Sequence, residues 1–484
     1  MTSPPRHGAS VEVELDEVAD PGAAGAGRPG RPRRTARAAG ARLGPRAWGP
    51  SARAGTLGSA VLAVGVVVAL VAWLVPPRAT PGPLVGTAPA LASPLTEVWR
   101  VEARSGWWAA HGQLLVPGRT AAGPEVVARD LTTGDVVWRL SADDRVPTLA
   151  CPVGVTAASG PAVVCQAFGP LGPTDPPGHG VAQHPGALLV VAAADGAVLD
   201  RVPLEPDHLG FGAVDGDLVL ARRTAGGVEV ERRTPDGPRE WRTSVALPGG
   251  DVPGPAARVE MGDRAVLVSG TATVLLDGAD GSRLGTWGAV PQATAAAPRL
   301  TSRGTATGVR VERAAGARGP VTSWFGPDGT LLGRFAGASA EPAVTDSSPP
   351  DVALADADGA LRGVDLTGGD VVWSLPGDGA VPVLRSGGAV LVVRPTALAA
   401  VALATGTERW SVPLTGTDVV HAVSDGDVVL ATGMPPGRGP SLSALSLEDG
   451  SLRWRTALPP GTSRVEVADG RVVAVGGATV VGLG

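Results

Sequence analysis

Residues 128–140 read ARDLTTGDVVWRL, and close copies recur at 362–375 (RGVDLTGGDVVWSL), 400–414 (AVALATGTERWSVPL) and 443–458 (SALSLEDGSLRWRTAL). Each copy is an apolar strand, a glycine turn and a second strand that carries tryptophan. Weaker copies stand at 192–204, 232–245, 275–287 and 325–335, and a lone second half, TEVWRVE, opens the series at 96–102. The anchors of the second strands are Trp99, Trp138, Leu199, Trp241, Trp287, Phe335, Trp373, Trp410 and Trp454, separated by 37 to 61 residues. That interval is the size of a four-stranded propeller blade.

Between anchors lie further hairpins. Residues 212–223 (GAVDGDLVLARR), 421–433 (HAVSDGDVVLATG) and 464–477 (RVEVADGRVVAVGG) each read as strand, Asp-Gly turn, strand. Asp-Gly suits a two-residue hairpin because both turn positions need positive φ. The fold class is therefore all-β, a β-propeller of four-stranded antiparallel blades. The repeated indole has a packing role, since a large flat ring fills the gap between neighbouring blades. The strand at Trp99 completes the last blade begun by residues 464–484, which closes the ring and removes exposed edges.

The motif Ala128–Trp138, Ala-x-Asp followed by Thr-Gly and Trp, resembles the repeat of pyrroloquinoline-quinone-like propellers, the quinoprotein alcohol dehydrogenase-like family. The resemblance covers residues 96–484 and speaks for the fold, not for one activity. A literal count of anchors gives nine blades; the norm of the family is eight, with seven to nine spanning the range, and eight is the expectation here. Quinone dehydrogenases of the family carry a vicinal cysteine pair, a calcium site with Glu and Asn ligands, and an Asp base. This chain has no Asn at all, and its two cysteines are fourteen residues apart, so no position receives those roles. Neither a cofactor nor a catalytic or metal-binding residue is assigned.

Ahead of the repeats the chain divides into a tail (1–54), an apolar segment (55–76) and a Pro-rich linker (77–95). The tail lacks apolar periodicity and segregates charge, with Glu12, Glu14, Asp16, Glu17 and Asp20 ahead of eight arginines between Arg28 and Arg53. It reads as disordered. Residues 57–75, LGSAVLAVGVVVALVAWLV, contain no charge and suffice as a helix to cross the hydrocarbon layer. Arginine-rich flanking sequence on the N-terminal side places the tail in the cytoplasm and the propeller outside the plasma membrane. The rival reading is a cleaved signal peptide ending near 88–92 (APALA); the long n-region favours an uncleaved, single-pass signal anchor. Lys, Asn, Ile and Tyr are absent, which reads as mutational bias in a GC-rich genome, as in actinobacteria. The missing Lys and Tyr also exclude Schiff-base and phosphate-loop chemistry and a tyrosine acid.

A net charge of −5, without a basic stripe interleaved with aromatics, gives no case for nucleic acid. Cys151 and Cys165 fall on adjacent strands of one blade and are a candidate disulfide; two buried thiols are the alternative. The insertion 169–186 carries Asp175, His179 and His184 at a spacing that matches no ligand motif, and reads as a solvated loop and contact surface. Asp-rich runs at 277–281 and 356–359 resemble fragments of calcium loops but read as hairpin turns. The functional expectation is a non-enzymatic binding or scaffolding module for a protein or cell-envelope ligand on the propeller loops. A quinone-dependent dehydrogenase with atypical ligands and a transmembrane sensor are the alternatives.

Overall fold

The structure, a computed structural model, describes residues 84–484 apart from short stretches, the longest at 169–184, 248–257, 288–298 and 301–308. The tail, the apolar run 57–75 and the loop residues Asp175, His179 and His184 lie outside the described residues. Among the described residues no helix is long and apolar enough to cross a membrane, and every regular element is a strand.

These strands form nine sheets of four antiparallel strands, one of them extended to six. In chain order the blades are 108–141 (blade 1), 148–203 (2), 208–246 (3), 258–287 (4), 299–336 (5), 338–375 (6), 381–413 (7), 419–457 (8) and 464–483 (9). Blade 9 takes its outer strand from Glu97–Glu102, which pairs antiparallel with Thr479–Leu483. Thr96 and Gly484 exchange backbone hydrogen bonds at the seam. The expectation of eight is corrected to nine. The weak copies around Leu199 and Phe335 are complete blades, because a sheet needs paired alternating strands and not the tryptophan itself.

Short turns follow from local chemistry. Asp215-Gly216, Asp358-Gly359 and Asp469-Gly470 all have positive φ at both residues, the geometry of a tight hairpin. The Asp-rich runs are likewise turns, between Thr273–Asp277 and Arg283–Trp287 and between Val352–Ala357 and Ala360–Asp365.

Hydrophobic packing is divided into layers between blades. Leu115, Trp138, Leu149 and Val163 join blades 1 and 2; Val219, Val230, Val266 and Leu276 join blades 3 and 4. Trp373 of blade 6 packs with Val390, Val392 and Val401 of blade 7. Cys151 and Cys165 are bonded to one another within the layer of blades 1 and 2, both fully buried. Pro152 lies in a bulge of the first strand, which leaves Cys151 out of the ladder and opposite Cys165.

The indoles do more than fill space. Each outer strand is bulged at the residue ahead of its anchor register, so that Trp138 pairs with Ala128, Trp373 with Gly363, Trp410 with Ala400 and Trp454 with Ala444. From that register the indole N–H donates to a turn carbonyl of the next blade: Trp99 to Leu131 (3.0 Å), Trp138 to Ala193 (2.9 Å), Trp241 to Gly278 (3.1 Å), Trp373 to Leu403 (2.6 Å) and Trp410 to Leu447 (3.1 Å). The ring then lies on the turn glycine of that blade. A Cβ on Gly134 would come within 2.5 Å of Trp99, and one on Gly406 within 2.7 Å of Trp373. Trp287 stands two residues past the register, where Gly285 pairs with Leu275.

Blade 9 has no such turn, because its outer strand, Glu97–Glu102, comes from the start of the repeat region. The N-terminal segment supplies it. Leu91 is fully buried, its N–H donates to Asp425 Oδ2 (2.6 Å), and its carbonyl accepts from Trp454 Nε1 (2.7 Å). Further upstream, Leu84–Val85 pairs with Val344–Asp346, a strand inserted in blade 6 that lies parallel on the first strand of blade 7. The chain thus enters at the inner edge of blade 7 and crosses the turns that join first and second strands before it reaches the rim.

Candidate functional site

Counting from the turn glycine locates a break in the pattern. Trp138, Trp373, Trp410 and Trp454 each follow a turn glycine (Gly134, Gly369, Gly406, Gly450) by four residues. In blade 2 the glycine is Gly196, and four residues on stands Asp200, which pairs with Val190 as the tryptophans pair with their partners. Leu199, read above as the anchor, is the bulged residue. In blade 5 the register position is Gly333, but there the neighbouring blade closes in: a Cβ on Gly333 would meet Leu366 O at 2.0 Å. Between blades 2 and 3 lies a cavity of about 400 Å³; the corresponding position between blades 7 and 8, where Trp410 is in place, holds a smaller one of about 220 Å³.

The facing wall is built by strand alternation. In Gly227–Arg233 (GVEVERR), Val228 and Val230 pack toward blade 4, so Glu229, Glu231 and Arg233 turn toward blade 2. In Asp217–Thr224, Leu218 and Leu220 cover the inner part of the same interface and Arg222 its outer part. The result is a groove with an apolar floor and charged rails.

Its charges are ordered. Arg233 Nη2 meets Asp200 Oδ2 at 3.1 Å, where other blades carry an indole. Glu229 is shared by Arg222 (2.7 Å) and Arg242 (3.2 Å), and Glu231 by Arg239 (2.8 Å) and Arg242 (3.0 Å). The two carboxylates lie deep, 12 % and 17 % exposed, while the Arg222 and Arg239 side chains are 42 % and 47 % exposed. Hydrogen bonding to Glu229 raises the pKa of Arg222 further above its ordinary value. Glu205 closes the upper end, 3.5 Å from Arg222 and mostly exposed. Half-exposed ion pairs of this kind add little to stability. They do hold long side chains in one arrangement, which is what a recognition surface needs.

His208 sits at the same end, stacked on Phe211 with ring centroids 6.3 Å apart. Burial pushes its pKa down, and its Nε2 finds no hydrogen-bond partner among the described residues. The groove opens beside the blade 2 to blade 3 connection and the turn between Asp217–Thr224 and Gly227–Arg233. The N-terminal segment crosses the opposite face, over Ser424 and Asp425.

Among the described residues no three His, Cys, Asp or Glu side chains stand together in a way that could hold a metal ion. The sequence reading passed over the groove because it placed Leu199 at the anchor; the Gly-to-anchor spacing of four was the signal that finds it.

Comparison with known proteins identifies the repeat. A family model described as outer membrane protein assembly factor BamB matches residues 394–483, so this part of the chain carries repeats of the PQQ-like type. No curated protein matches the sequence. Among solved structures, BamB from Moraxella catarrhalis is 15 % identical, with 81 % of this chain and 99 % of that chain covered and a TM-score of 0.40. Quinohemoprotein alcohol dehydrogenase from Comamonas testosteroni is 13 % identical over 80 % of this chain and 76 % of its own, with a TM-score of 0.37. The computationally designed Ika8 protein is 12 % identical over 79 % and 96 %, with a TM-score of 0.35.

Proposed function

We propose that this chain is a non-enzymatic binding module, a nine-bladed propeller that holds a protein ligand in the groove between blades 2 and 3. One observation carries the reading. Across the cavity of about 400 Å³ between blades 2 and 3, the facing wall is a fixed array of arginines and glutamates. An apolar floor with polar rails suits a segment of another protein, whose side chains bury on Leu220 and whose polar groups meet Arg222, Arg239 and Arg242. The match to the BamB family model over residues 394–483 supports a protein-binding role.

The setting is part of the proposal. Residues 57–75 anchor the chain in the plasma membrane with the tail inside, and the propeller works outside it.

The test is site-specific photo-crosslinking in living cells, with the crosslinker at Arg239 and, as a control, at Thr407 beside the outer turn of blade 7. A defined adduct from Arg239 that disappears in Leu220→Trp, which fills the groove from its floor, is the expected result. An adduct that persists with the groove filled refutes the site. Tightly held quinone with alcohol-dependent dye reduction by the purified protein refutes the non-enzymatic reading.

A further inference from the structure

The cavity of about 220 Å³ between blades 7 and 8 stands where the groove stands between blades 2 and 3, against the outer strand of one blade and the second to fourth strands of the next. The two differ in charge, and the register shows why. In blade 3 Arg242 follows Trp241 and pairs with Glu231, while Glu229 pairs with Ser244. In blade 8 Arg455 follows Trp454 and pairs with Ser443, while Ser441 pairs with Ala457. Serines therefore hold the two positions where blade 3 carries glutamates.

An arginine directly after the anchor tryptophan recurs in four blades, as Arg100, Arg139, Arg242 and Arg455. Three of them meet a carboxylate: Arg100 meets Glu97 at 2.6 Å, Arg139 meets Glu125 at 3.5 Å, and Arg242 meets Glu229 and Glu231 at 3.2 and 3.0 Å. Arg455 meets none among the described residues. Its Nε donates to Ser443 Oγ at 2.9 Å, which leaves its two Nη groups uncommitted.

The lining is one-signed as a result. Arg455 is its only charged residue. Leu442 and Ala444 pack toward blade 9, so Ser441 and Ser443 turn toward blade 7 and the cavity. Both are buried, 8 % and 7 % exposed. Ser441 Oγ donates to the Gly433 carbonyl at 3.4 Å. Ser443 Oγ accepts from Arg455, so its own hydroxyl hydrogen is left to donate. Val412, Leu414 and Leu445 complete an apolar wall. A guanidinium fork beside a hydroxyl donor matches a carboxylate, and such charge-assisted bonds are the strong ones. The volume is below that of a drug-sized site, so the guest is small.

We propose that this cavity binds a carboxylate on a short aliphatic tail, whose oxygens pair with the Arg455 Nη groups and the Ser443 hydroxyl while the tail lies on Leu414 and Leu445. The carboxylate belongs either to a free small acid or to an acidic side chain. The site does not depend on the blade 2–3 groove and stands or falls apart from it.

The probes are butyrate, the tripeptide Gly-Glu-Gly blocked at both ends and, as a neutral control, butyramide. Each is titrated into the full chain in detergent and followed by ligand-observed NMR. Butyrate or the tripeptide binds and butyramide does not; the tighter of the two tells a free acid from a side chain. Arg455→Gln keeps a donor and removes the charge, and weakens binding by about tenfold or more. Ser443→Glu copies blade 3 by setting a carboxylate opposite the retained arginine, and abolishes binding. The two changes act at different residues, so loss of fold in one leaves the other to decide. Unchanged affinity in either folded variant, butyramide binding as tightly as butyrate, or no response of the wild type to either acid overturns the proposal.

Discussion

Gly406→Ala puts two separate costs on one methyl group. The residue has φ +70°, where an L side chain carries a penalty of about 1 kcal/mol. Behind it lies Trp373 of the preceding blade, whose Cβ and Cγ would both be 2.7 Å from the new Cβ. Neither can move freely, because the indole is 8 % exposed and tied by its N–H to Leu403 O at 2.6 Å. Overpacking a fixed site costs roughly 1–3 kcal/mol, so the substitution should cost about 3 kcal/mol in all. Gly359 is the control: φ is +72°, and nothing lies within 4 Å of its added Cβ. Gly359→Ala should cost only the backbone part, about 1 kcal/mol. Urea unfolding followed by tryptophan fluorescence measures both, and Trp373→Gly as a second background, which removes the Cβ as well as the ring, tests the cause. In that background the cost of Gly406→Ala should fall to about that of Gly359→Ala, a coupling expected only for residues in contact. Equal costs for the two glycines in the wild type would refute the claim that ring and turn glycine are one unit across the blade interface.

Three further outcomes follow from particular contacts. His421 is buried, its ring bonded to Thr432 Oγ1 at 2.7 Å, and burial with some help from Arg464 holds its pKa down to about 4 against an ordinary 6.5. The unfolded chain then takes up a proton that the folded one refuses, so stability is lost as pH falls from 6.5 to about 4, by roughly 3 kcal/mol, and is flat above 6.5. Unfolding midpoints across that window should show a steeper slope in the wild type than in His421→Gln, where the buried His208 still contributes in the same direction. Leu91→Ala leaves both backbone bonds in place and removes a fully buried side chain, so calorimetry should register a loss of about 3 kcal/mol; a loss under about 1 kcal/mol would mean that the N-terminal segment does not complete blade 9. Replacing Cys151 and Cys165 together by alanine opens a loop of separation 14 and should cost about 3 kcal/mol in denaturant, with wild type under reductant falling to the same midpoint.

Much of the fold could be read directly. The tryptophan strands, the Asp-Gly hairpins and the closing strand at Trp99 are local patterns, and each depends only on alternation and turn chemistry. Blade number was misjudged where the norm of a family was set above the count of anchors; Leu199 and Phe335 mark real blades. The candidate site was harder to see, because Asp200 looks like an ordinary polar residue after Leu199 until a bulge is allowed for. The crossing of Asp346 to blade 7 gave no local sign at all, since its partner there, Gly387, is some forty residues away.

By itself, the sequence determined that this chain makes strands of a given length, which face of each is apolar, where they turn, and how large one blade is. All of that is set by side chains that alternate at a period of two and by residues that tolerate positive φ. Only the tertiary structure decided that nine sheets close the ring, that Leu91 stands in for a missing turn, that Asp200 and not Leu199 occupies the place of an indole, and that Asp346 reaches blade 7. Those outcomes depend on which blade face meets which turn once the ring is shut. Such contacts join residues far apart in the chain, and a local pattern carries no record of them.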